Sequence, residues 1–191
     1  MRARVSVHDN QASQNIAGYL ECLLQDIDPE RYRPLVLLAI GTDRLTGDCL
    51  GPLVGSRLRE LAPDLPVYGT LETPVHAVNL ADIIRQIDQK YRNPLVVAVD
   101  SCLGEARSVG TVTVGRGALS PGTGVHKRLP RVGEVSISGV VNIGGFLEFE
   151  VLKNTRLGRV AQLADCIARA LALACPGWMQ QCEAVATSEN C

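Results

Sequence analysis

Aromatic side chains are scarce in this chain: one Trp, four Tyr and two Phe among 191 residues. A surface that stacks nucleobases needs an array of aromatic faces, so a single-strand-binding platform is excluded. An excess of one charge is missing too. Lys and Arg number 19 against 20 Asp and Glu, a formal net charge of -1, which removes the electrostatic case for nucleic acid or an anionic membrane. No apolar stretch approaches the ~20 residues of a membrane-spanning helix. The first residues, Met1 to Asn10, lack the apolar centre of a signal peptide. The seven cysteines include no C-x-x-C pair, and Cys22, Cys49, Cys102, Cys166 and Cys175 fall in separate apolar or turn segments. An odd count with no leader reads as reduced thiols and a cytoplasmic location.

Three catalytic signatures are absent as well. A Walker loop requires Lys after its second glycine, whereas Gly47 is followed by Asp48 and Cys49, and a carboxylate there repels phosphate. The same turn carries no Gly-x-Gly-x-x-Gly dinucleotide pattern, and the chain has no Gly-x-Ser-x-Gly elbow.

What is present is a core-forming composition: 46% hydrophobic residues at a mean hydropathy of +0.11, enough for one domain over 1–191. Ile16, Leu20, Leu23, Leu24 and Ile27 recur at helical spacing and predict a helix over 11–27. Leu35 to Ile40 reads as a buried strand, and residues 51–61 as a helix with Pro52 in its first turn. A short strand is expected near Val67-Tyr68-Gly69, then a helix over 79–91 capped by Asn79. Leu95 to Val99 predicts a second buried strand ending in Asp100, and Val109 to Val114 a third. A Gly/Pro-rich connection follows over 115–130, then β or turn structure over 135–145. Helices over Phe146–Leu152 and Leu157–Ala174 complete the pattern, and residues 176–191 read as a poorly ordered tail. Strands alternating with helices predict an α/β fold with a mostly parallel sheet covered on both faces.

Chemistry gathers after the two buried strands. The loop Gly41-Thr-Asp-Arg-Leu-Thr-Gly-Asp-Cys-Leu-Gly-Pro52 delivers Asp43 and Asp48, and the second strand delivers Asp100. Parallel strands end on one edge, so residues 48 and 100 are expected side by side in the crevice where such folds bind ligands. Two carboxylates sharing a crevice repel; one keeps its proton while the other stays ionised, which supplies a general acid and a general base. Such a pair requires no cofactor, and it could instead hold a divalent metal ion with a histidine completing the shell. The bland alternative is that Asp48 caps the following helix and Asp100 caps the turn after its strand. His76, before a helix, and His126, in the long connection, are candidate accessories to the site along with Asp43, while His8 reads as solvated. Lys127, Arg128 and Arg131 could grip an acidic substrate or form a solvated loop. Cys49 and Cys102 adjoin the two acids; each reads either as a nucleophile or, more commonly, as a small buried apolar residue.

Taken in order, Gly41 to Pro52, Val99-Asp100-Ser101-Cys102-Leu103-Gly104, and Ser136 to Phe149 resemble motifs of the YyaC-type sporulation proteins, a group related to the germination protease. The resemblance runs from about Leu35 to Ile167 and includes Asn154-Thr155-Arg156-Leu157. It implies a three-layer α/β/α fold of the phosphorylase/hydrolase-like kind, shared with the hydrogenase-maturation endopeptidases. It implies an aspartate pair at Asp48 and Asp100, a protein or peptide substrate such as the small acid-soluble spore proteins, and a place in the forespore or spore core. In the maturation endopeptidases the equivalent acids bind nickel with a histidine, and no histidine of this chain matches that third position. The leading reading it implies is a sporulation-associated endopeptidase whose aspartate pair activates water; the alternatives are a non-catalytic sporulation binding protein and a metal-recognising peptidase, and a homo-oligomer is compatible with each.

Overall fold

A computed structural model describes residues 2–121 and 129–176. Its centre is a six-stranded sheet in the order β1-β5-β6-β4-β2-β3. β2 (Leu35–Ala39), β3 (Val67–Tyr68), β4 (Leu95–Gly104) and β6 (Val135–Ile143) run parallel; at one side β5 (Thr111–Arg116) pairs antiparallel to β6, and the edge strand β1 (Arg2–Ser6) pairs antiparallel to β5. β2 is buried at every position, as expected of a strand covered on both faces.

Alternation along the strands sorts two cores. Leu35, Leu37, Val97 and Val99 face α1 (Ala12–Ile27), α2 (Leu50–Leu61) and α5 (Leu157–Ala174), meeting Leu20, Leu24, Val54, Leu58, Leu163 and Ile167. Val36, Leu38 and Ala98 face the other way onto Leu80 and Ile87 of α3 (Leu80–Lys90). α4 (Glu148–Lys153) is one short helix between β6 and α5. The layered architecture is therefore the expected one: helices on both faces of a mostly parallel sheet.

Four elements depart from the sequence reading. β1 was hidden in a segment with alternating arginines; its exposed positions carry Arg2, Arg4 and Ser6, the charged dressing that protects an edge strand from unwanted pairing. β4 does not stop at Asp100 but continues to Gly104, because Asp100 to Gly104 pair with Ser138 to Ile143 of β6. β5 starts at Thr111, after a 3-10 turn at Ala106–Ser108 and a left-handed Gly110 (φ 84°). Asn79 precedes α3 without capping it: its Oδ1 accepts the His76 N–H (2.8 Å) and its Nδ2 donates to the Pro74 carbonyl (3.0 Å), bracing the preceding loop. The tail expected to be poorly ordered lies, from 177 onward, outside the described residues, as do His126, Lys127 and Arg128.

Candidate active site

The loop after β2 is built around Asp48. Gly41 leaves the strand at φ 146°, and a Cβ there would stand 2.0 Å from the Asp48 carbonyl oxygen, so only glycine fits. The next amide, Thr42, points into the loop and donates both to the Asp48 carbonyl (3.1 Å) and to its carboxylate Oδ2 (3.0 Å). Asp48 N–H returns a bond to Leu45 (2.9 Å), closing a 3-10 turn at Thr46–Cys49. The N-cap position of α2 is Cys49, with no side-chain cap, and the partners of the Asp48 carboxylate are Thr42 N–H and the Ser101 side chain. That carboxylate is committed to the loop and to β4, which removes the capping explanation for this residue.

Burial dominates the electrostatics of Asp48. Desolvation lifts its pKa to about 6, opposed by the Thr42 N–H and by a hydrogen bond with the Ser101 side chain, both of which favour the charged form. A carboxyl titrating near 6 exchanges its proton close to neutral pH, the property required of an acid/base group. It also lies ahead of α2, whose N-terminal dipole favours negative charge.

Asp100 sits inside β4 on the strand next to β2, in register with Ser138 of β6. It is buried, and its Oδ1 accepts the Ser101 N–H at 2.7 Å. The strand continues past it, so no turn exists there for Asp100 to cap. The β4 alternation places Asp100 on the α3 side with Ala98, and Ser101 on the opposite side, where it meets Asp48. Asp100 borders a polar cavity of about 220 Å3 whose walls include Arg2, Cys102, Arg131, Ser136 and Ser138.

Both sequence-selected aspartates thus lie at the carboxyl edge of neighbouring parallel strands, but Asp48 does not line the cavity that Asp100 borders; Ser101 touches both, donating its N–H to Asp100 and meeting Asp48 through its side chain. Ser101 was not singled out by sequence. The Asp-Ser dipeptide on a strand was its only signal, and its contact with Asp48 depends on how β2 and β4 register. Asp43 is exposed, its Oδ1 3.5 Å from Thr42 Oγ1. His76 is half-buried and lines a groove of about 670 Å3 beside β3 whose walls include Tyr68, Asn79 and Tyr91 and neither aspartate. Arg131 faces the Asp100 cavity and donates to the Ala118 carbonyl (3.2 Å).

Neither thiol beside the aspartates has the environment of a nucleophile. Burial pushes Cys49 up, with Asp43 and Asp48 adding to the effect, and pushes Cys102 up to about 11 with Asp100 adding. Activated cysteines are shifted the other way. Among the described residues, no three His, Cys, Asp or Glu side chains gather where a cation could sit. Asp48 and Asp100 each accept a main-chain N–H on one carboxylate oxygen.

The chain is 51% identical over 142 residues to the uncharacterized protein YyaC of Bacillus subtilis, a match covering 74% of this chain and 69% of that one. It is 28% identical over 151 residues to the germination protease of Oceanobacillus iheyensis, covering 70% of this chain but 41% of the longer relative. In fold it matches the [NiFe] hydrogenase maturation protease HycI of Thermococcus kodakarensis KOD1, with a TM-score of 0.52 at 20% identity, over 80% of this chain and 98% of that one. The fold is shared with that structure, and among the described residues no helix is long and apolar enough to cross a membrane. The model of DUF1256, a protein of unknown function, matches residues 4–170, and the chain belongs to that family.

Proposed function

We propose that this chain is a sporulation-associated endopeptidase in which Asp48 and Asp100 activate water for peptide-bond hydrolysis. The observation that carries the reading is Asp48 itself: a half-buried carboxyl with its pKa near 6, held by loop and strand donors rather than by a helix cap, at the sheet edge that also bears Asp100. Similarity to the germination protease supports the reaction class. In the proposed step Asp100 takes a proton from water as the oxygen attacks the carbonyl carbon. Asp48, protonated, gives its proton to the amide nitrogen as the C–N bond breaks. No cofactor is needed. The substrate class is polypeptide, with small acid-soluble spore proteins as first candidates in the forespore or spore core.

The test is incubation of the chain with an unfolded spore-protein extract, with new N-termini counted by mass spectrometry. Wild type yields new termini. Asp100→Asn and Asp48→Asn each reduce their rate by about 100-fold or more, with circular dichroism unchanged. Undiminished cleavage by Asp100→Asn rules the mechanism out, and a rate abolished by chelator and restored by a divalent metal transfers the step to a metal-recognising peptidase.

A second reading has its own observation. β4 turns Asp100 to the α3 side and Ser101, with Asp48, to the other, so the two acids do not share one cavity, which suits a recognition platform that binds polypeptide without cutting it. Stable capture of spore proteins with no new termini selects that reading.

A further inference from the structure

Both phenylalanines of the chain, Phe146 and Phe149, stand on one short segment and are 80% and 52% exposed. Ile143 and Leu147 beside them are 50% and 64% exposed. The core is packed with Leu, Val, Ile and Ala, so the two largest apolar side chains of their kind are kept out of it. Four exposed apolar side chains within residues 143–149 are a concentration, where scattered single ones need no explanation, and such a concentration marks a contact site.

The segment is held rather than loose. Gly144 N–H donates to the Gly104 carbonyl at 2.9 Å, tying its start to the end of β4. Asn142 Nδ2 donates to Thr155 Oγ1 (3.2 Å), and Thr155 Oγ1 donates to the Val151 carbonyl (2.7 Å), tying β6 to the far end of α4. Leu147 is kept at φ 48°, ψ 45°, a left-handed conformation unfavourable for a residue with a branched side chain, while that side chain faces solvent. Strain of this kind concentrates at functional sites.

Its position is specific. α4 rests on the turn that carries Asp48, so closely that a Cβ on Gly47 would lie 2.7 Å from Leu152 Cδ2. The apolar segment therefore rises at the same carboxyl edge as the two aspartates, one short helix away from Asp48.

We infer that Ile143, Phe146, Leu147 and Phe149 form a preformed apolar lip that receives a bulky apolar side chain of the polypeptide substrate close to the bond presented to Asp48. This rests on the proposed function for the bond cut, and not for the binding. The lip contributes affinity and selects which residue is presented; it takes no part in proton transfer.

Two fluorescent peptides differing only in a central Phe or Ser serve as probes, with anisotropy read on the full-length Asp100→Asn chain so that turnover does not interfere. The Phe peptide is expected to bind about tenfold or more tightly than the Ser peptide. That preference is lost when Phe146→Ser and Phe149→Ser are added, with the melting curve unchanged. On the active chain the same two substitutions raise KM for the Phe peptide with kcat within about twofold. Equal binding of both peptides, or a preference that survives Phe146→Ser and Phe149→Ser, overturns the lip. Binding of phosphatidylcholine vesicles in place of peptide overturns it in favour of a membrane contact. If the preference holds while wild type cuts nothing, the lip stands and the hydrolytic reading falls.

Discussion

In the interior of the sheet, the strands and helices follow the ordinary division of labour: Leu35 to Ala39 are wholly buried, and the helices present Leu, Val and Ile to them. At the carboxyl edge the division is reversed. There a carboxyl group, Asp100, is buried, Asp48 is half-buried with its proton held too firmly, and two phenylalanines stand in solvent. A non-glycine residue occupies a left-handed conformation at the same edge. The interior is arranged for stability, and the edge gives some of it up, as expected where binding and chemistry are placed on a rigid scaffold.

That contrast can be broken from either side. The largest effect is expected in the interior. A Cβ on Gly51 would lie 2.0 Å from the Ile40 carbonyl oxygen, main chain against main chain, so Gly51→Val should cost about 3 kcal/mol or more, read as a lowered urea midpoint. An unchanged midpoint would show that α2 can move off β2.

At the edge, removing the awkward group should stabilise. The folded chain holds the Asp48 proton more tightly than the unfolded chain, about 6 against 3.8, and so binds more protons between those values. Stability therefore falls as pH rises through that window and levels off above about 6, by an upper bound of about 3 kcal/mol. Asp48→Asn should lose this slope, gain stability at pH 7.5, and converge on wild type near pH 4. Denaturation at several pH values reads it, and parallel wild-type and variant curves would place Asp48 in water.

Ser101→Ala is expected to have a smaller and more specific effect. Ser101 lowers the Asp48 pKa, so its loss raises it, by an amount set by one hydrogen bond, ~1 kcal/mol. If Asp48 acts as the acid, the alkaline limb of the pH-rate profile moves to higher pH, and Ser101→Thr restores it. A profile that drops in height without moving would make Ser101 merely structural. The smallest effect belongs to Leu147→Gly, which relieves the left-handed strain and should raise stability by up to about 1 kcal/mol in thermal melts.

Particular elements show how much could be read in advance. β2 and α5 are strongly patterned, and residues 35–40 and 157–174 gave them almost to the residue. β1 was missed because Arg2 and Arg4 mask the alternation of Ala3 and Val5, which is all that a half-exposed edge strand shows. The run of β4 beyond Asp100 was missed because Asp and Ser are poor strand formers, and pairing with β6 overrides that preference. The positions of Asp48 and Asp100 just beyond the apolar runs 35–40 and 95–99 were legible, whereas the continuation of β4 through Asp100 and the contact of Ser101 with Asp48 were not. His76 is a candidate because it flanks a turn before a helix that could reach the sheet edge; the structure puts it beside β3, in a groove that neither aspartate lines.

By itself, the order of residues determined the helices, the buried strands and the edge at which Asp48 and Asp100 emerge, because hydrophobic spacing and glycine-bearing turns act over a few residues of chain. Only the tertiary structure decided that Asp48 binds back to Thr42, that the Ser101 side chain meets Asp48, and that Phe146 and Phe149 remain outside the core. Those outcomes follow from strand register and from the close seating of α4 on the Gly47 turn, contacts between segments too far apart in sequence for any local pattern to encode.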